Sequence, residues 1–133
     1  YIEMKEQMTV AELFATSESV FRAKETKYLK QVLKQNYQVI STGSGSILTP
    51  ENVDMMKEKG LVIFLRTKTE TIAERRKNDR TRSMFGENFD LESIGHLIEK
   101  NDSVCMNIAD IVIDTDEKSI DDICREIVSQ LGF

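Results

Sequence analysis

The apolar positions of this chain fall into two repeating signals. Helical spacing governs Phe21, Tyr28, Leu29, Val32 and Leu33, and it predicts a helix from about Glu18 to Gln35. Tyr37 to Thr42 and Asp110 to Thr115 (with Ile111, Val112 and Ile113) read as buried strands, and Leu61 to Leu65 is a continuous apolar run, the signature of a parallel strand covered on both faces. Thr9-Val10-Ala11-Glu12 is a capping-box pattern that opens a short helix through Phe14. Thr49-Pro50 starts another helix, which Gly60 stops. Further helices are expected over Thr69 to about Lys77, Leu91 to Lys100 and Ser103 to Ala109. A last one, over Ser119 to Leu131, carries Ile120, Ile123, Ile127, Val128 and Leu131 on one stripe. Residues 78–90 are polar and without period, and a loop of that length in a compact domain is usually functional, often a lid.

Strands alternating with helices predict an α/β fold with a parallel sheet, where ligands bind beyond the carboxyl ends of the strands. One such end carries Gly43-Ser44-Gly45-Ser46, two of the chain's six glycines within three residues. Glycine there admits a positive φ or a close approach of backbone to a ligand; a plain tight turn is the competing reading.

Composition adds bounds. The 133 residues suit one domain, and 40% hydrophobic with 31% charged residues is ordinary for a globular protein. No apolar run approaches the roughly 20 residues of a membrane span. The opening YIEMKEQ lacks the basic and apolar regions of a signal peptide. Cys105 and Cys124 have no Cys or His neighbours at metal-ligand spacing and read as free thiols, so a cytoplasmic location is expected. A net charge of −5 argues against nucleic acid. Between Arg66 and Arg82, however, seven basic residues face three acidic ones, a local +4 against −9 elsewhere, which suits a small anionic ligand or a solvated helix face.

Three patches carry a family resemblance. Phe21-Arg22-Ala23-Lys24-Glu25 has the form F-R-x-x-E, Ile40 to Asn52 reads ISTGSGSILTPEN, and Arg82-Ser83-Met84-Phe85 follows a strand-helix unit. Their order and spacing resemble the shikimate kinases, with F-R-x-x-E, then T-G-G-G and E-N, then R-P-L-L in a lid; IADIVIDTD matches the family's last strand. The resemblance implies a three-layer parallel sheet of the P-loop kinase type. It also implies transfer of the ATP γ-phosphoryl group, with Mg²⁺, to the 3-hydroxyl of shikimate, a small-molecule substrate, with no nucleic acid or membrane as partner.

On the matching positions, Arg22 would grip the substrate carboxylate and Glu25, one turn on, would orient it. Gly43, Ser44 and Gly45 would line the substrate, and Arg75 would lie against the adenine. Arg82, in a lid over residues 78–90, would serve as catalytic and nucleotide-binding residue. Arg22 paired with Glu18 or Glu25 as a surface helix residue, and a merely solvated Arg82, are the bland alternatives. His96 receives no role.

The resemblance also breaks. The chain has no G-x-x-x-x-G-K-[ST] loop, which in the family cradles the phosphates. The family's own metal-linked D-x-D pair, which lies just before the segment matching Tyr1-Ile2-Glu3, is also absent, and no metal ligand is expected among these residues. Ser44 replaces the middle Gly, Ser83 the lid Pro, and Asn101 a second substrate-binding Arg. The expectation is a single shikimate kinase-like domain, residues 1–133, lacking the N-terminal strand-loop-helix unit and inactive by itself. It would be a monomer if complete, or else supplied with a strand by a partner or dimer. In the family the lacking strand is central, so the inner edges of Tyr37–Thr42 and Leu61–Leu65 would be unpaired. Two other functions fit: a catalytically dead kinase-like binding or regulatory module, and a kinase for another small hydroxy acid.

Overall fold

The computed structural model describes residues 1–76 and 91–132, which divide into two compact units: residues 1–60, and residues 61–76 with 91–132. The first unit is helical. Helices α1 (Ile2–Glu6), α2 (Val10–Thr16), α3 (Glu18–Val32) and α4 (Pro50–Lys59) are joined by loops and one 3₁₀ turn, Ser46–Leu48. The α2 capping box forms as its sequence asks: the Thr9 hydroxyl accepts from the Glu12 amide, and the Glu12 carboxylate accepts from the Thr9 amide at 2.8 Å. Two backbone donors of the helix start are thereby satisfied.

Helix α3 is the spine of this unit. Its buried face carries Phe21, Glu25, Tyr28 and Leu29, against which α2 brings Leu13 and the 3₁₀ turn brings Ile47. The short α1, not expected from the sequence, is fastened to α3 by one carboxylate: Glu6 accepts from the Tyr28 hydroxyl at 2.5 Å and pairs with Lys24. The Tyr1 ring meets Tyr28 edge-on at 5.8 Å. The Lys24 ammonium and then the Tyr28 hydroxyl hold the Glu6 carboxyl below its usual range, and Glu6 in turn raises the Tyr28 phenol above its ordinary value.

The second unit is α/β. Strands β1 (Ile63–Arg66) and β2 (Ile111–Asp114) pair in parallel, Ile63 opposite Ile111 and Arg66 opposite Asp114. Parallel strands need a long crossover, here containing α5 (Thr69–Arg76) and α6 (Leu91–Ile108). Helix α6 packs on β1, and α7 (Ile120–Gln130) packs on β2 behind a second capping box, Ser119 with Asp122. Ile113 is fully buried.

Several expectations are corrected. Residues 37–42 carry no strand: Tyr37 sits at φ 56°, in the left-handed region, and Tyr37 and Val39 are fully exposed. An apolar run supplies β tendency, but a strand exists only where another strand takes up its backbone groups, and no described strand does so here. Instead, the Gln38 side chain donates to the Val32 and Gln35 carbonyls and closes the end of α3. The Leu61–Leu65 run is shifted to Ile63–Arg66, and it is not covered on both faces within its unit, since Leu61 and Leu65 are half exposed or more. The two helices expected over residues 91–109 are one continuous helix, because the polar Asn101-Asp102 step contains no Gly or Pro to break it. Of the apolar stripe expected on the last helix, Ile120 and Val128 lie exposed, and Ile123, Ile127 and Leu131 are half-buried.

Candidate functional site

The first unit gathers its chemistry around one guanidinium. Arg22 lies next to the buried Phe21 on α3, and its side chain is 20% exposed. Arg22 Nη1 donates to Glu25 Oε2 at 2.9 Å, one turn along the helix, and Nη2 lies 3.4 Å from Glu18 Oε1, one turn back. Glu25 stands on the apolar face between Phe21 and Tyr28, and a carboxylate so buried is tolerated only with a charge partner. The guanidinium is also framed by aromatic rings, its carbon 5.8 Å from the Phe14 centroid and 5.4 Å from that of Phe21. Four neighbours thus fix where this cation points.

The Gly-rich loop closes on the same point. The Ser46 amide and hydroxyl both donate to the Gly43 carbonyl, at 3.1 and 2.7 Å, and the Leu48 amide donates to Gly45. Asn52, fully buried at the start of α4, holds the turn from below through Nδ2 to the Ser46 carbonyl at 2.9 Å. The need for glycine at 45 is one of space, since its φ of −86° is open to any residue. A Cβ there would fall 2.6 Å from Arg22 Nη2 and 2.8 Å from Cζ, and closer still to Nη1. At Gly43 a Cβ would lie 3.2 Å from Glu25 Oε1. The two glycines are therefore the surface on which the Arg22–Glu25 pair rests, and the exposed Ser44 forms the crest between them. The result is an oriented cation beside a turn, an arrangement suited to a small carboxylate carrying hydroxyls.

The second unit offers a different surface. A cleft of about 600 Å³ opens at the carboxyl ends of β1 and β2, lined among others by Arg66, Lys68, Asp102, Asp114 and Asp116. Arg66 grips Asp114 with two bonds, Nε to Oδ1 at 2.6 Å and Nη2 to Oδ2 at 2.9 Å. This pair holds the Asp114 carboxyl below its ordinary range. Asp116 is also lowered, first by the Thr71 hydroxyl and then by the Lys68 amide, which it accepts at 3.2 Å. Burial pushes Asp102 up, and burial together with Asp102 pushes the Cys105 thiol up, the opposite of what a reactive thiolate requires. Arg75, on α5, donates through Nη2 to the Thr115 carbonyl at 3.1 Å and is otherwise exposed, next to the strand-end loop.

Of the residues singled out from the sequence, Arg22, Glu25, Gly43, Ser44 and Gly45 come together in the first unit, and Arg75 lies in the second. Arg82 and the loop 78–90 lie outside the described residues, as does Ser83. Among the described residues, neither the Oδ1 of half-buried Asn101 nor that of fully buried Asn52 has a hydrogen-bond partner. Among the described residues no group of three or more His, Cys, Asp or Glu is placed to hold a metal ion, and no helix is long and apolar enough to cross a membrane. Sequence reasoning sets Asn52 within a motif but gives it no task, and it overlooks Phe14. For Phe14 the signal available is its place in the short helix that precedes Phe21-Arg22. For Asn52 the signal is its place in the E-N pair that follows the Gly-rich turn, although a polar residue three positions after a helix N-cap otherwise reads as solvated.

The family model described as shikimate kinase matches residues 1–132. The shikimate kinase of Sulfurihydrogenibium sp. is 33% identical over 131 residues, covering 98% of this chain and 77% of that protein. That of Pelotomaculum thermopropionicum is 33% identical over 96% of this chain and 74% of its own. That of Thiobacillus denitrificans is 29% identical over 87% of this chain, and the chain spans 63% of its length. Among solved structures, the Acinetobacter baumannii shikimate kinase in complex with shikimate superposes with a TM-score of 0.91 at 25% identity, over 98% of this chain and 73% of that one. The Aquifex aeolicus shikimate kinase gives a TM-score of 0.80 at 26% identity, over 98% and 74%. An F-R-x-x-E helix resting its ion pair on a T-G-x-G turn, followed by a parallel β1–β2 unit and matched along the whole chain, places this protein in the shikimate kinase family.

Proposed function

We propose that the protein acts as an ATP-dependent phosphotransferase on the 3-hydroxyl of shikimate, in the manner of the relatives it matches, and that its 133 residues belong to a single domain of that kind. The observation that carries this reading is the Arg22–Glu25 pair, buried at 2.9 Å and seated on Gly45. Phosphoryl transfer asks a protein mainly to position its reactants and to stabilise charge. Arg22 would take the substrate carboxylate, Glu25 would hold Arg22, and the turn Gly43-Ser44-Gly45 would meet the ring hydroxyls. Arg75 would stack on the adenine from its exposed side. Arg82 keeps its catalytic and nucleotide-binding assignment from its motif alone.

ATP use accords with the family, and among the described residues no group of three or more His, Cys, Asp or Glu is gathered as a metal site. The 133 residues contain no phosphate-binding G-x-x-x-x-G-K-[ST] loop, and by themselves they are expected to bind shikimate without turning over ATP.

Calorimetric titration with shikimate tests the assignment, comparing the protein with Arg22→Lys. An ammonium keeps the charge but cannot fork onto a carboxylate, so affinity should fall about 10- to 100-fold. Equal affinity in the two proteins would remove Arg22 from the site and overturn the reading.

A further inference from the structure

The two carboxylates on Arg22 are not equivalent. Glu25 is 8% exposed in its side chain and makes a bond of 2.9 Å, within the range of a strong charge-assisted contact. Glu18 is 61% exposed in its side chain and stands at 3.4 Å. It is also the first residue of α3, where a negative charge is favoured by the unsatisfied amides of the helix start whether or not it touches Arg22. Letting go of Arg22 therefore leaves Glu18 in a favourable place, whereas Glu25 has no solvent to turn to.

The fork itself has limited room. Nη1 is engaged by Glu25 and the terminal nitrogens abut Gly45. The rings of Phe14 and Phe21 lie within 6 Å of the guanidinium carbon, at 5.8 and 5.4 Å. Nη2 is the nitrogen whose present partner can leave.

We propose that Glu18 is a built-in competitor for the substrate carboxylate: it occupies Arg22 Nη2 and must be displaced when a carboxylate ligand binds, which sets the affinity of the site. The inference rests on the reading of Arg22 as the carboxylate-binding residue. Substrate binding then exchanges one carboxylate for another on the same nitrogen, and the protein never leaves the Arg22 charge without a partner.

The test is calorimetric titration of shikimate, and separately of its methyl ester, into the protein and its Glu18→Gln, Glu18→Asp and Arg22→Lys variants, with folding checked by circular dichroism. Glu18→Gln should bind shikimate about two- to fivefold more tightly, the size of effect an exposed ion pair carries. Its affinity for the ester, which has no carboxylate to compete, should not change. Glu18→Asp keeps the charge at the helix start but shortens the reach by one methylene, and it should behave like Gln. Unchanged or weaker shikimate binding in Glu18→Gln, an equal gain for the ester, or Glu18→Asp matching the parent would each overturn the competition. Absence of shikimate binding in the parent protein, or Arg22→Lys equal to the parent, would instead overturn the assignment of Arg22 and the inference with it.

Discussion

The two units of this protein handle charge in opposite ways. Around Arg22 the ionic groups are drawn into the interior: Glu25 lies among Phe21 and Tyr28, and the turn that receives the guanidinium is held by the fully buried Asn52. At the strand ends of the second unit, Arg66 and Asp114 form a fork of better hydrogen-bond geometry, yet both side chains are about half exposed. Geometry alone would rank the Arg66–Asp114 pair as the stronger. Burial reverses that ranking, because a buried charge deprived of its partner cannot be rescued by water, whereas an exposed one can. The Arg22 pair is thus a rigid fixture and the Arg66 pair an adjustable edge.

Breaking the interior fixture should give the largest effect. Glu25→Ala leaves a mostly buried guanidinium with only the exposed Glu18 at 3.4 Å, and it should cost about 3 kcal/mol of stability, read from denaturant midpoints at constant slope. Asn52→Ala comes next. It removes the Nδ2 bond that supports the Ser46 carbonyl and opens a small void, for about 2 kcal/mol, and it should loosen shikimate binding because the turn beneath Arg22 is no longer fixed.

A pH scan sharpens the comparison within the first unit. The Glu6 carboxyl is held below its usual range by Lys24 and Tyr28, so its contribution is present above the ordinary carboxylate pKa and is lost as pH falls through the lowered one. Glu6→Gln should therefore flatten the acid limb of the stability profile and, because Glu6 also raises the Tyr28 phenol, soften the alkaline limb, leaving the shape near neutral pH. Asp114→Asn should give the smallest change, with a midpoint close to the parent. What remains of the difference should vanish in about 1 M salt, where the screening length drops to about 3 Å. A loss at Asp114 equal to that at Glu25 would refute burial as the factor that ranks the two pairs.

Parts of this architecture were legible in the chain because they depend on neighbours in sequence. The Thr9–Glu12 box, the Pro50 start and Gly60 stop of α4, and the Arg22–Glu25 spacing are all local, and each stands in the structure as its residues dictate. Residues 37–42 show the limit. Their apolar run has every mark of a strand, but pairing requires a partner that local pattern cannot name, and Tyr37 and Val39 end up exposed. Gly45 shows it again. The sequence marked this glycine as a point of close approach to a ligand, and the atoms that approach it are those of Arg22, 23 residues earlier. The task of Asn52 was silent in the sequence because holding a carbonyl six residues back inside a closed turn is possible only once that turn has folded.

The sequence by itself determined the starts of α2, α4 and α7 and the stop of α4, the parallel α/β character of the second half, and the motifs by which the chain is placed in its family. These follow from periodicity, capping chemistry and fixed spacing, which act over one or two turns of chain. Only the tertiary structure decided which carboxylate on Arg22 is buried and which is exposed, why position 45 has no room for a side chain, and which apolar run becomes a strand. Those outcomes depend on desolvation and on contacts between distant residues, and neither exists until the chain has closed upon itself.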